Sequence, residues 1–145
     1  MQLTLEKVLV LKQVPLFSNI PEAALSDIVA AADETAAMIG TDIVKEGDEW
    51  NALYIILQGQ VRLHKNGETV CEHNALDVFG ELSALDPAPA DVTVTALEDT
   101  IMFKISGSAL YRLMNEHKAL ERGVIQMLCR RIRDMREQMF ETRRS

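Results

Sequence analysis

With 145 residues, the chain can bury a sizeable core in one domain and has little room for a second. Apolar residues make up 48% and charged residues 26%, a globular balance that excludes a disordered chain. The formal charge of −7 argues against nucleic acid or an anionic membrane as partner, because either needs a basic face.

In chain order, a helix is predicted first: Leu3, Leu5, Val8, Leu9 and Leu11 precede any breaker, and Pro15 ends the run. Pro21 suits a first helical position and Glu22 a first turn. Leu25, Ile28, Val29 and Ala32 then step as the stripe of an amphipathic helix. From about residue 35 the pattern becomes short runs of Val, Ile, Thr and Tyr between turn residues. Strands are predicted over 38–44, 52–58, 60–64, 69–72, 92–96 and 101–105, with Leu53, Ile55, Leu63, Val94 and Phe103 facing inward. Asn66-Gly67 predicts a hairpin turn, since both central residues of a type I′ turn need positive φ. Trp50, in a turn-rich segment, reads as a lid over one end or as a partner contact.

From Ser108 onward the helical period returns. The stretch from His117 to about Arg143 has no proline, and as one helix it would be roughly 40 Å long at ~1.5 Å per residue. Leu128, Ile132, Met135 and Met139 recur at a spacing close to 3.5, which predicts a seam between two copies of this helix. The alternative is that the helix folds back and is covered by Leu5, Val8 and Leu9. Residues 107–145 carry nine Lys/Arg against five Asp/Glu, so the tail is basic on an acidic body. Arg130, Arg131, Arg133, Arg136, Arg143 and Arg144 alternate with Asp134, Glu137 and Glu141, which predicts ion pairs along the helix surface, not a DNA-contacting stripe.

Three stretches together resemble the cyclic-nucleotide-binding domain family, as in catabolite-activator-like proteins and protein-kinase-A regulatory subunits. They are Leu11 to Phe17 before a short helix; Val44 to Asp48 with Leu53 to Ile56, Gly59 and Val61; and Phe79-Gly80-Glu81-Leu82 with Pro89 and Thr93 to Ala96. The spacing fits through almost the whole chain. The resemblance implies a mainly β, α+β fold: a double-sheet jelly-roll β-barrel with N-terminal helices (1–34), the barrel (35–106) and C-terminal helices (107–145) in one domain. It makes Phe79, Gly80, Glu81, Leu82, Pro89, Ala90, Asp91 and Thr93 the phosphate-binding cassette, with Gly80 and Glu81 at the ribose and Glu81 accepting from its 2′-hydroxyl. A glycine before a helix start also suits close approach of an anion to backbone N–H groups. The bland alternative for Glu81 is a carboxylate capping the short helix that follows.

The family pattern then calls for Pro-Arg, the arginine forked onto the cyclic phosphate. This chain reads Pro89-Ala90-Asp91, and Leu76 stands where the pattern expects glycine. Losing two charge-assisted hydrogen bonds of roughly 1.5–3 kcal/mol each weakens binding by about two to three and a half powers of ten. Arg62 and His64 share a strand face opposite Leu63 and Lys65, so none of these cations is expected to replace the arginine.

Other letters carry little. Cys71-Glu72-His73 supplies two candidate ligands, too few for zinc, and Ser83, His64 and Asp86 lack a nucleophile-elbow context. No enzyme activity, metal or cofactor is expected. Cys71 and Cys129 form no paired motif, no apolar run approaches membrane-spanning length, and the first apolar stretch, interrupted by Glu6 and Lys7 and without a small-residue cleavage site, does not read as a signal peptide, so a cytoplasmic protein is expected. The stretch after the long helix is too short for the helix-turn-helix unit of the transcription-factor relatives. The expected role is a regulatory or sensor module that binds cyclic AMP and cyclic GMP weakly or not at all. The alternatives are a genuine small-ligand sensor, for a cyclic nucleotide held unconventionally or for a less anionic ligand, and a homodimerisation or docking module within a larger parent protein.

Overall fold

The computed structural model describes residues 4–144. Two helices, α1 (Thr4–Lys12) and α2 (Glu22–Ala31), flank a 3-10 turn at Pro15–Phe17. Leu3 of the predicted first helix lies outside the described residues. Pro21 caps α2 from outside the helix, and Leu25, Ile28 and Val29 are buried as their spacing requires. Lys12 Nζ meets Glu22 Oε1 at 2.8 Å and ties the two helices together.

The chain turns extended one residue after α2, and β1 (Asp33–Ala37) pairs antiparallel with β10 (Thr100–Ser106). Ala32 therefore lies outside the helix predicted to hold it, with ψ at 142°. β1 has weak strand propensity, and its ladder with β10 fixes its conformation. The strand expected over 38–44 is split by a turn at Ile39-Gly40, where Gly40 has φ of 84°, and resumes as β2 (Asp42–Val44). β3 (Glu49–Trp50), β4 (Ala52–Gln58), β5 (Gln60–Lys65), β6 (Glu68–Asn74) and β7 (Val78–Phe79) follow. After α3 (Glu81–Leu85) come β8 (Ala88–Pro89), β9 (Thr93–Ala96) and β10. The β5–β6 hairpin turns at Asn66 (φ 54°) and Gly67 (φ 80°), as predicted.

The strands form two four-stranded antiparallel sheets, β1-β10-β4-β7 and β2-β9-β5-β6, with β3 and β8 as a separate pair. Every residue from Ala52 to Ile56 is buried because β4 is covered on both faces. Tyr54, Ile56 and Met102 face the second sheet, where Val44, Val61 and Val94 complete one core. Leu53, Ile55, Phe103 and Ile105 face the helices and pack with Leu11, Phe17, Ile28, Leu110 and Leu120. Alternation of side chains across a strand separates these two cores. The residues expected to share one interior are thus divided. Leu53, Ile55 and Phe103 lie under the helices, whereas Val94 and the partly buried Leu63 lie between the sheets.

The C-terminal region is α4 (Gly107–Glu116) and α5 (Lys118–Arg144), broken at His117. Ser106 caps α4 through Oγ, which accepts from the Ala109 N–H at 3.2 Å. Leu120 and Val124 anchor α5 on the body, while Ile132, Met135 and Met139 are exposed. Leu5 and Leu9 are exposed too, and only Val8 of the expected cover is buried, so the late apolar residues of α5 are not folded onto α1.

Candidate ligand site

Gly80 lies between β7 and α3 with φ of 86°. A Cβ there would stand 2.5 Å from the Ala52 carbonyl oxygen and 2.9 Å from Trp50 Cζ2, so both conformation and space require glycine. Trp50 is buried, lies over Gly80, and donates its indole N–H to the Ala52 carbonyl at 2.9 Å. Phe79 stacks on Tyr54 with centroids 4.9 Å apart and meets Trp50 edge-on. These rings fix the start of α3 and deliver Glu81 to the interior, where it is only 6% exposed.

Glu81 is not free to receive a ligand through both oxygens. Arg131 of α5 donates through Nη1 to Glu81 Oε1 at 2.5 Å and through Nη2 to the Val78 carbonyl at 2.6 Å. The second carboxylate oxygen, Oε2, is buried and has no hydrogen-bond partner among the described residues. Sequence reasoning assigned Arg131 to helix-surface ion pairs and missed this role. The signal was present: 120, 124, 127–128 and 131 are successive positions on the face of α5 that meets the body.

The other residues expected to form the cassette are placed as follows. Ala90 is buried beside Trp50 and Phe79, and its backbone is held by two bonds: its N–H donates to the Asp48 carbonyl and its carbonyl accepts from the Gly47 N–H, each at 2.8 Å. Asp91, Pro89 and Leu82 are exposed. Thr93 accepts from the Glu46 N–H at 3.1 Å, on the strand face opposite the buried Val94. With five residues, α3 contributes little of the helix-end charge expected of it. Leu76 adopts φ of 73°, the left-handed region favoured by glycine, and is held by its N–H to the Ile56 carbonyl at 2.7 Å. Its partly buried side chain packs on the helix-side core, which offsets that strain.

Arg62 donates to Thr69 Oγ1 at 2.7 Å and to the Gly67 carbonyl, and His64 Nε2 lies 2.7 Å from Thr95 Oγ1. Both are committed on the outer face, as their alternation with Leu63 requires. Cys71 and His73 instead share the inner face of β6, Sγ to Nε2 3.6 Å, and the His73 ring stacks over Phe79 at 6.1 Å. Burial pushes the Cys71 thiol up and the His73 imidazole down from its usual 6.5; Arg131 adds to the second shift, against Asp77 and Glu81. A depressed folded-state value means that the unfolded chain binds the proton more readily. His73 therefore contributes stability that is full above about pH 6.5 and declines as pH falls below it. His73→Gln is expected to flatten stability between pH 7 and 5 relative to the parent in urea denaturation; identical slopes would remove this role.

A separate groove of about 920 Å³ runs between the segment from Val14 to Ile20 and α5, bordered by Arg122, Arg130 and Arg131. Arg131, which lines this groove, is also the residue that hydrogen-bonds Glu81.

A profile of the cyclic nucleotide-binding domain matches residues 36–117, more than half of the chain. The chain belongs to the cyclic nucleotide-binding domain family. The cAMP-dependent protein kinase regulatory subunit of Aspergillus niger is 31% identical over 106 residues, covering 72% of this chain and 26% of that protein. The chain spans no more than about a third of the length of the curated relatives it matches. Among solved structures, the catabolite activator protein of Thermus thermophilus superposes with a TM-score of 0.79 at 24% identity, over 88% of this chain and 62% of that one. The regulatory subunit of a cAMP-independent protein kinase A from Trypanosoma cruzi, bound to guanosine, gives 0.73 at 24% identity, over 88% and 45%. Both support the fold: mixed α+β, antiparallel sheets and flanking helices. Among the described residues no helix is long and apolar enough to cross a membrane.

Proposed function

We propose that this cyclic nucleotide-binding domain is a non-catalytic regulatory module, one jelly-roll domain in the cytoplasm, whose site has lost its grip on a cyclic phosphate. The carrying observation is the state of the cassette. Ala90 is buried in an apolar cluster, Asp91 offers only negative charge, and Glu81 Oε1 is taken by Arg131. In this reading Phe79, Gly80, Glu81, Leu82, Pro89, Ala90, Asp91 and Thr93 form a degenerate cassette. Glu81 and its aromatic floor are its working part. Cyclic AMP and cyclic GMP should bind no tighter than roughly 100 μM in calorimetric titration. A low-micromolar dissociation constant would overturn the reading.

A second reading is favoured by the unpartnered Glu81 Oε2. A buried carboxylate oxygen without a donor suits an uncharged ligand that brings a hydroxyl. The kinase-A relative bound to guanosine has such a ligand. Guanosine belongs in the same titration, and binding tighter than that of cyclic GMP would select this reading.

The exposed stripe of α5 supports a homodimer. Ile125 is exposed like Ile132, Met135 and Met139, and Leu128, partly buried against the body, stands at the edge of the stripe; together the five step by 3, 4, 3, 4. Sedimentation at micromolar concentration should show a dimer of the 16.2 kDa chain, and Ile132→Asp should dissociate it with the fold intact. A monomer, or a dimer indifferent to Ile132→Asp, would remove this seam.

A further inference from the structure

His117 is the single non-helical residue between α4 and α5, with φ of −129° and ψ of 97°. Its backbone is fixed on both sides. The N–H donates to the Leu113 carbonyl at 2.8 Å, and the carbonyl accepts from Leu120 and Glu121. Consecutive residues on an unbroken helix point about 100° apart. The break instead brings the side chains of Glu116 and His117 together, toward Asp27 on α2. His117 Nε2 lies 2.9 Å from Asp27 Oδ2, and one ligand atom from each of Asp27, Glu116 and His117 lies within 4.8 Å of the other two.

We propose that Asp27, Glu116 and His117 form a site for a divalent transition-metal ion of the zinc class. Around such an ion, ligand atoms about 2.0–2.2 Å from the metal stand about 3.4 Å apart in a tetrahedral arrangement. The Asp27–His117 pair is already closer than that, and a rotation of the exposed Glu116 side chain closes the other two edges. One imidazole and two carboxylates suit zinc, cobalt or nickel in preference to calcium or magnesium, which take oxygen. Two carboxylates also balance the ion's charge. The shallow hollow beside Glu116 and His117, bordered by Pro21, Ala24 and Ala119, leaves solvent room for water to complete the coordination. The competing cations are held weakly or elsewhere: Arg112 stands 3.8 Å from Glu116 Oε1, and Lys118 pairs with Glu121 at 3.6 Å. The ion would bolt α2 to the corner from which α5 departs, and so fix the direction of the helix that carries Arg131 to Glu81.

The test is a titration of tag-free, chelator-treated protein with Zn²⁺ at neutral pH by calorimetry, with thermal unfolding and Co²⁺ absorption alongside. Saturable binding is expected, with a rise in Tm of about 5–10 °C at a hundredfold excess over Kd. Asp27→Asn, Glu116→Gln and His117→Gln should each weaken binding roughly tenfold or more and cut the Tm shift at that zinc concentration to about half or less. The first two positions are exposed, so those variants keep the fold. Absence of binding up to about 1 mM, or binding unchanged in all three variants, would overturn the site. So would a Co²⁺ spectrum with thiolate charge transfer that is lost with Cys71→Ser or Cys129→Ser. None of these outcomes depends on whether the cassette binds a nucleotide.

Discussion

Arg131→Ala is expected to lower the stability of the domain by about 2–4 kcal/mol, and its Tm by roughly 5–15 °C for a chain of this length. The variant removes the donor that meets Glu81 Oε1 and leaves a carboxylate 8% exposed with both oxygens unpaired. The lower part of the usual range for breaking a buried pair applies because the Arg131 side chain is 33% exposed, so water already screens one partner. Adding Glu81→Gln should return much of the loss, since a neutral amide costs far less to bury than an uncompensated charge. Urea denaturation of the two single variants and the double variant measures the coupling directly. A change below about 0.5 kcal/mol for Arg131→Ala would mean that the bridge is not maintained in solution.

Ala90→Arg with Asp91→Ser is expected to raise affinity for cyclic AMP by about two to three and a half powers of ten, into the micromolar range. The substitution restores the guanidinium fork and removes the adjacent negative charge. The cost is also visible in the structure: Ala90 is buried among Trp50, Tyr54, Phe79 and Val94, so the arginine stem must run along that apolar surface to reach the interior with its head. Ala90→Met with Asp91→Ser is the control. It adds comparable bulk without charge and should gain no affinity. Calorimetry on variants that retain the parent circular-dichroism spectrum provides the check. A folded arginine variant that binds no better than the methionine control would show that residues 89–91 do not face the ligand.

Much of this molecule was legible in its sequence, for identifiable reasons. The Asn66-Gly67 turn, the buried stripe of α2 and the long C-terminal helix follow from local rules: positive φ at a two-residue turn, a 3.6-residue period, and the absence of breakers. The family followed from residues whose spacing is set by backbone geometry, Gly80 above all, where a methyl group would collide with Ala52 and Trp50. That Pro89-Ala90-Asp91 stands where the family pattern calls for Pro-Arg was likewise readable, because a side chain that is not encoded cannot be supplied by folding.

Contacts between distant segments were not legible. β1 is a strand because β10 is beside it, and nothing in its own five residues demands that. Leu53 and Ile55 read as one interior with Val94, yet they face the helices, because only the packing of layers decides which side of a doubly covered sheet meets which neighbour. Arg131 reaches Glu81 across 50 residues, and His117 meets Asp27 across 90. In both cases the sequence determined which charges exist and on which helix face they stand. The docking of α5 on the body and the break at His117 decided which of them meet, because pairing of charged groups depends on distance in space and on the water excluded between them.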